Sequence, residues 1–379
     1  MNTVLFFVYS NKYICANRIA GARRFAERHG WDIQVVERNN RRLDVKGVID
    51  FWKPIGIIAE CAGGVPEISR KTVGKIPLVY LDEDPDGEKG KALYVNSDNW
   101  QVGEVAAKEL LSLDLPHYAF VGWQEPRFWS EIRRKAFQAA VRLHGKDCSV
   151  FACPPKTAAG RRARILGAWL KALPKPCGVF AVHDPVAEEV LQQATVQGLS
   201  IPEDIAVVGV DDDPIICERT SPLLTSIGLD FEQGGFLCAQ LLNERIRDPK
   251  LTSARQTYAV TSVTRRLSTR RFKLSDRRVT QAITYIRRTA CEGVTVPMVA
   301  AVMGLQRRMA EIVFRRETGH SIHDEILDVR LERVENLLRN PRQDITAIAQ
   351  LCGWKSSAAL RSAFQSRYGK SMRDWRAGL

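Results

Sequence analysis

The sequence predicts two folds in series: a two-lobed α/β domain of doubly wound parallel sheets, then an all-α domain with two helix-turn-helix motifs. Three observations carry this reading. Up to about Arg265, short apolar runs alternate with helical patterns, the signature of parallel sheets covered on both faces. Beyond Arg270 the alternation stops, and one stretch of sequence occurs twice. The charge divides at the same place. From Arg270 to Leu379 there are 21 Lys+Arg against 11 Asp+Glu, whereas the first 269 residues carry 35 against 32. Such a basic third points to a polyanionic partner, the plainer alternative being a solvated basic surface.

At 379 residues the chain has room for two or three domains, each with its own core. No apolar run approaches the length needed to span a bilayer. The opening "MNTVLFFVYSNKYICANRIAG" has neither a basic lead nor a small-residue cleavage site, so a first strand is expected there rather than a signal peptide. Nine cysteines occur without a CxxC pair, which fits a reducing cytoplasm and small apolar packing residues. No metal and no cofactor is expected.

Strands are expected at Val4–Tyr9, Ile33–Val36, Gly56–Ala59, Leu78–Leu81 and Leu93–Asn96. Five more follow at Tyr118–Gly122, Ser149–Ala152, Val179–Val182, Ala206–Val210 and Thr225–Ile227. Ten strands are too many for one comfortable core, so two lobes with a cleft between them are expected. Lobe one takes about 1–100 plus 228–265, and lobe two about 101–227.

In such sheets ligands bind beyond the carboxyl ends of the strands. There the sequence places Asn11, then Trp123, Phe128, Trp129 and Arg133, then His183 and Asp184, and finally Asp211 in "DDDP". Carboxylates accept from vicinal hydroxyls, arginine donates to ring and hydroxyl oxygens, and an aromatic face covers the C–H side of a sugar ring. The set suits a neutral polyol. Each residue also has an ordinary alternative: Asp184 and Asp211 as helix caps, Arg133 as a solvated helix residue, the tryptophans as core.

The stretches "LYVNSDNWQVGEVAAKELL", "VFAVHDPVAEEVLQQATVQGLSIPEDIAVVGVDDDP" and "SPLLTSIGLDFEQGGFLCAQLL" resemble the effector domain of LacI/GalR regulators, itself similar to periplasmic sugar-binding proteins. The resemblance implies that Arg133, Asp184 and Asp211 bind a monosaccharide. His183 stands where many relatives have Asn. A LacI-type regulator begins with a DNA-binding helix-turn-helix, whereas this sequence opens on the first strand.

Residues 266–275 are polar and basic and read as a linker, followed by the second domain at 276–379. Its first helix carries Val279, Ile283 and Ile286, with Ser275 or Asp276 as the cap. Then "VPMVAAVMGLQRRMAEIVFRRETG" and "ITAIAQLCGWKSSAALRSAFQSRYG" align. Ala300 answers Ala349, Gly304 answers Gly353, Phe314 answers Phe364 and Gly319 answers Gly369. Each copy reads as a short apolar helix, a glycine turn and a second amphipathic helix, which is a helix-turn-helix. Outward positions of the second helices are Gln306, Arg307, Arg308, Glu311 and Arg315 in one, and Lys355, Ser356, Ser357, Arg361 and Gln365 in the other. These side chains are suited to guanine, adenine and phosphate. Between the copies, Ile322, Ile326, Val329, Val334 and Leu337 are spaced for one rigid helix that would hold both reading heads against one DNA duplex.

This region resembles the AraC/XylS-type DNA-binding domain, with Met372 where most members have proline. The order of the two domains, with "RFWSEIRRKAF" and "ITYIRRTACEG", resembles the XylR-like family of bacterial xylose regulators. The resemblance implies a sugar-responsive transcription regulator and not an enzyme. It implies double-stranded DNA and a monosaccharide, xylose first, as ligands, a homodimer, and contact with RNA polymerase if it activates. A sugar carrier without DNA function is the alternative.

Overall fold

A computed structural model of the chain describes residues 2–9, 12–37, 44–60, 68–86, 92–125, 127–270, 276–338 and 343–377. The chain forms two compact units, residues 1–271 and 272–379.

The first unit holds two six-stranded sheets. One has the order β2-β1-β3-β4-β5-β11, built from β1 (Asn2–Val8), β2 (Trp31–Glu37), β3 (Gly56–Glu60), β4 (Leu78–Leu81), β5 (Leu93–Ser97) and β11 (Ala254–Tyr258). All its pairings are parallel. The other has the order β7-β6-β8-β9-β10-β12, built from β6 (His117–Val121), β7 (Cys148–Val150), β8 (Cys177–Ala181), β9 (Ile205–Val210), β10 (Thr225–Leu229) and β12 (Val260–Thr264). It is parallel except for β12, which runs antiparallel to β10. Central strands such as β3, β8 and β9 are buried along their whole length, as sheets covered on both faces require.

The chain crosses between the lobes three times: from β5 into the helix Asn99–Leu111, from β10 into the helix Phe231–Arg247, and from β11 into β12. Backbone bonds tie the crossings together, Asp98 N–H to Tyr258 O at 2.9 Å and Asp230 N–H to Ala259 O at 3.1 Å. This connectivity corrects the assignment of 228–265 to lobe one. Only Ala259 separates β11 from β12, and β12 bonds to β10 in lobe two.

The expected linker at 266–275 also needs correction. Leu267, Ser268 and Thr269 are buried. Ser268 N–H donates to Leu223 O, its carbonyl accepts from Val207 N–H, and its hydroxyl donates to Val207 O. The described part of this segment, 266–270, spends polar groups on the core of lobe two, and 271–275 lie outside the described residues.

In lobe one, the helices Lys12–Glu27 and Phe231–Arg247 approach through glycines. A Cβ on Gly235 would lie 1.9 Å from Arg18 O, and one on Gly21 would lie 1.8 Å from Glu232 O. The backbones touch where no side chain fits.

The second unit is helical: Arg277–Thr289, Val296–Val302, Arg307–Thr318, Ile322–Leu338, Ile345–Leu351, Ser357–Tyr368 and Met372–Ala377. Asp276 caps the first by accepting from Arg278 N–H, and Asp344 caps the fifth. Gly304 and Gly353 make the two turns at φ 65° and 73°, a region open to glycine. Ala300, Ala310 and Phe314 are buried in one motif, and Ala349, Leu360 and Phe364 in the other. The helix Ile322–Leu338 packs against both motifs. Its inner face is Ile322, Ile326, Leu331, Val334 and Leu338, whereas Val329 and Leu337 are half-buried. Met372 is buried in the same core as Phe364.

Gly235→Ala is expected to destabilise the chain by about 1–3 kcal/mol, the cost of overpacking a close contact. Urea unfolding monitored by circular dichroism checks this, and an unchanged midpoint contradicts it.

Candidate functional site

Between the two lobes of the first unit lies a cavity of about 510 Å³, a size normal for a small-molecule site. Its walls are the carboxyl ends of the strands, which point at it from both sheets.

Lobe two contributes Arg133, from the helix Phe128–Leu143. Burial leaves it 5 % exposed. Its Nε donates to Asn99 Oδ1 at 2.8 Å and Nη1 to Val182 O at 2.7 Å, so the guanidinium is fixed with its remaining nitrogen, Nη2, available. The Trp129 ring lies beneath the guanidinium, 5.2 Å from ring centre to carbon. Trp123 and His183 complete the aromatic wall, edge to face at 4.8 Å. His183 Nδ1 accepts from Val186 N–H, so the ring caps its helix while facing the cavity. Burial pushes the His183 pKa down to about 4, which keeps it neutral.

Asp211 lines the same space at 9 % exposure. Burial pushes its carboxyl up to about 7, while Arg133 and Arg18 pull it down and Asp82 adds to the rise. Asp184, expected beside it, is not at the cavity. It is fully buried inside lobe two, where one oxygen accepts from Ser226 Oγ at 2.5 Å and the other from Asp213 N–H at 2.9 Å. Successive side chains leaving an extended strand point to opposite sides, so His183 takes the cavity side and Asp184 the core. Phe128 is half-buried and does not line the cavity. Asn11 lies outside the described residues.

Lobe one supplies groups that the sequence reading missed. Arg18 is buried and pairs with Glu60 and Asp82. It also donates to Tyr258 Oη at 3.0 Å, and Tyr258 donates to Asp82 Oδ2 at 2.7 Å. Glu60, Asp82, Ser97 and Tyr258 stand at the ends of β3, β4, β5 and β11. The strand-end rule that found Asp211 applies equally to them. Arg18 carries no such signal, since it sits mid-helix. Asp82 Oδ1 accepts from Ser97 N–H at 2.9 Å, Ser97 Oγ donates to Asn99 Oδ1 at 3.1 Å, and Asn99 Oδ1 accepts from Arg133. One bonded chain therefore joins the arginines of the two lobes across the β5 crossing.

In the second unit, Gln306, Arg307, Arg308, Arg315, Lys355, Ser356, Arg361 and Gln365 are exposed, and Ser357 and Glu311 are half-buried. None of these arginines, nor Lys355, has an acidic partner among the described residues. Glu311 accepts from Ile322 N–H at 3.3 Å, and Ser356 caps its helix by accepting from Ala359 N–H. Met309 and Ile312, which the sequence reading passed over, are about half exposed on the first of these helices.

Residues 107–269 match the periplasmic binding protein-like domain, and residues 299–378 match a helix-turn-helix domain. The xylose operon regulatory protein of Escherichia coli (strain K12) is 27 % identical over 361 residues, covering 93 % of this chain and 90 % of that protein. Its namesake in Haemophilus influenzae is 28 % identical over 287 residues, 75 % of this chain and 74 % of that one. A solved structure of the xylose-binding transcription activator xylR superposes with a TM-score of 0.65 at 25 % identity, covering 99 % of this chain and 97 % of the other. Over nearly its whole length this DNA-binding transcription regulator is similar to XylR-type proteins. The regulator joins a sugar-responsive effector domain to sequence-specific DNA-binding motifs, and the carrier without DNA function is set aside. A LacI family regulator from Enterococcus faecium, solved with ribose, shares the effector fold at a TM-score of 0.57 and 21 % identity, over 70 % of this chain and 98 % of that one. No helix among the described residues of the regulator is long and apolar enough to cross a membrane.

Asp184→Ala is expected to lower stability by about 1–3 kcal/mol by leaving buried donors unpaired, with ligand affinity changed little. Arg133→Ala is expected to lose most of its ligand affinity, in addition to the stability lost with its bonds to Asn99 and Val182. Thermal unfolding alongside ligand titration separates the two, and loss of affinity in the Asp184 variant at unchanged stability contradicts the assignment.

Proposed function

We propose that the cavity takes a free pentose, D-xylose first, and that its occupancy controls promoter binding by the two helix-turn-helix heads and activates pentose-catabolic genes. The observation that carries the sugar class is the charge balance of the cleft. Arg18 and Arg133 face Glu60, Asp82 and Asp211, and Arg127, which also lines the cavity, pairs with Glu125 at 2.7 Å, so the cleft offers no surplus cation to a phosphate ester or a sugar acid. A neutral polyol instead finds acceptors in the carboxylates, donors in Arg133, and an aromatic face in Trp129. Similarity to a xylose operon regulatory protein and to a xylose-binding transcription activator supports xylose within that class.

Gln306, Arg307, Arg308 and Arg315 of the first head, and Lys355, Ser356, Ser357, Arg361 and Gln365 of the second, face DNA in this reading. Ile312, one helical turn beyond Arg308, fits the C5-methyl of thymine, the apolar group of the major-groove base edges. The regulator acts in the cytoplasm as a homodimer that touches RNA polymerase at the promoter, as an activator must.

Two outcomes test the two halves. A sugar hydroxyl donating to Asp211 favours the carboxylate over the acid, so binding lowers that pKa and releases a proton. Below about 7 the free site is protonated, and affinity for D-xylose therefore rises with pH up to about 7 and levels off above it. His183, neutral throughout, adds no slope. Calorimetry between about pH 5.5 and 8.5 reads this, and affinity that is flat or falls with pH contradicts it. On the DNA side, Arg361→Ala is expected to cost about 1–3 kcal/mol on the specific site and far less on random duplex. Equal losses on both, measured by fluorescence anisotropy, would reassign Arg361 to phosphate contact.

A further inference from the structure

The segment that leaves the effector domain is bonded to the turn that carries Asp211. Asp211 and Asp212 follow β9 and both hold positive φ, 107° and 48°, where a residue with a Cβ is disfavoured. Such a turn persists when its surroundings hold it. Asp211 N–H donates to Ile227 O at 2.8 Å, and Asp212 N–H donates to Ser226 Oγ at 3.1 Å. The Asp212 carboxylate then takes two donors from the departing chain, Thr264 Oγ1 at 2.6 Å and Arg266 Nη1 at 2.8 Å.

Arg266 is largely buried, with its side chain 12 % exposed. Its Nη1 also donates to Leu224 O at 2.8 Å, and its backbone N–H donates to Thr225 Oγ1 at 2.8 Å. Further anchors of this segment reach elsewhere in lobe two: Ser268 holds Val207 and Leu223, and Arg265 pairs with Glu109 at 2.8 Å. The Asp212 bonds lead from the departing chain to the residue beside the cavity carboxylate. The effector unit ends a few residues later, at Arg271.

We propose that Arg266 is a positioning residue for regulation: together with Thr264 it registers the state of the Asp211 turn on the chain that feeds the DNA-binding domain. A ligand hydroxyl that bonds to Asp211 biases that turn. Asp212 shares its peptide plane and moves with it, and the bonds to Thr264 and Arg266 carry the shift to the exit. A passive anchor would make the same bonds without making DNA affinity depend on ligand. The proposal rests on the reading of the cleft as a sugar site.

The test uses the full chain, D-xylose as probe, and a duplex selected by the protein from a randomised pool. Calorimetry gives sugar affinity, and anisotropy gives DNA affinity with and without saturating sugar. The wild-type ratio of the two DNA affinities is expected to fall in the range of roughly 5–150-fold. In Arg266→Gln and Thr264→Val the ratio is expected to fall to within about twofold of unity, with sugar affinity and sugar-free DNA affinity each within about threefold of wild type. Arg266→Lys, which keeps the charge, restores part of the ratio. An unchanged ratio in both variants overturns the proposal. So does a joint loss of fold, sugar affinity and DNA affinity in Arg266→Gln alongside a normal ratio in Thr264→Val, which would make the residue an anchor. A wild-type chain that binds D-xylose while its DNA affinity ignores the sugar overturns the coupling and leaves the site standing. No D-xylose binding by the wild type removes the sugar reading itself.

Discussion

Burying two guanidinium groups in one cleft is costly unless each is paired and hydrogen-bonded. Arg18 is met by Glu60 and Asp82 and braced by Tyr258, while Arg133 is held by Asn99 and the Val182 carbonyl with Asp211 nearby. The partners come from the ends of different strands, so the charge balance exists only when both sheets are assembled with their carboxyl ends toward the cleft. It also sets what can enter. An anion meets carboxylates already matched to the cations, whereas hydroxyl groups find donors and acceptors of both kinds.

The same groups give the cleft a mechanical character. The bonded chain Asp82–Ser97–Asn99–Arg133 runs through one of three crossings between the lobes. A ligand that competes for any member of it changes how the lobes hold each other. It shifts the equilibrium only by its difference in affinity for the two arrangements. In the second unit, duplication has kept the core positions and released the surface. Ala300 and Ala349, Gly304 and Gly353, and Phe314 and Phe364 occupy equivalent places, while Arg308, Ile312 and Arg315 face Ala358, Ser362 and Gln365 across the alignment. Two heads of one shape thus carry different surface chemistry.

Much of this was legible beforehand, because strands, helices and repeats leave periodic signals. The limits were geometric. Asp184 and Asp211 both follow strands, yet the alternating direction of an extended chain turns Asp184 into the core and leaves His183 at the cavity. Arg18, in the middle of the helix Lys12–Glu27, gives no pattern by which to know that Glu60, Asp82 and Tyr258 converge on it from as many as 240 residues away. Residues 266–275 read as a linker because composition shows that Ser268 can hydrogen-bond but not that Val207 and Leu223 are there to receive it. Ile312 broke the pattern of a buried aliphatic, and only its exposure singles it out.

The most direct measurement is calorimetric titration of the intact regulator with D-xylose, D-xylose 5-phosphate and D-xylonate at one ionic strength. A charge-matched cleft predicts saturable heat with the neutral sugar and little or none with either anion. Tighter binding of the phosphate ester or the acid than of D-xylose would contradict the balance of Arg18, Arg133, Glu60, Asp82 and Asp211 on which the account is built.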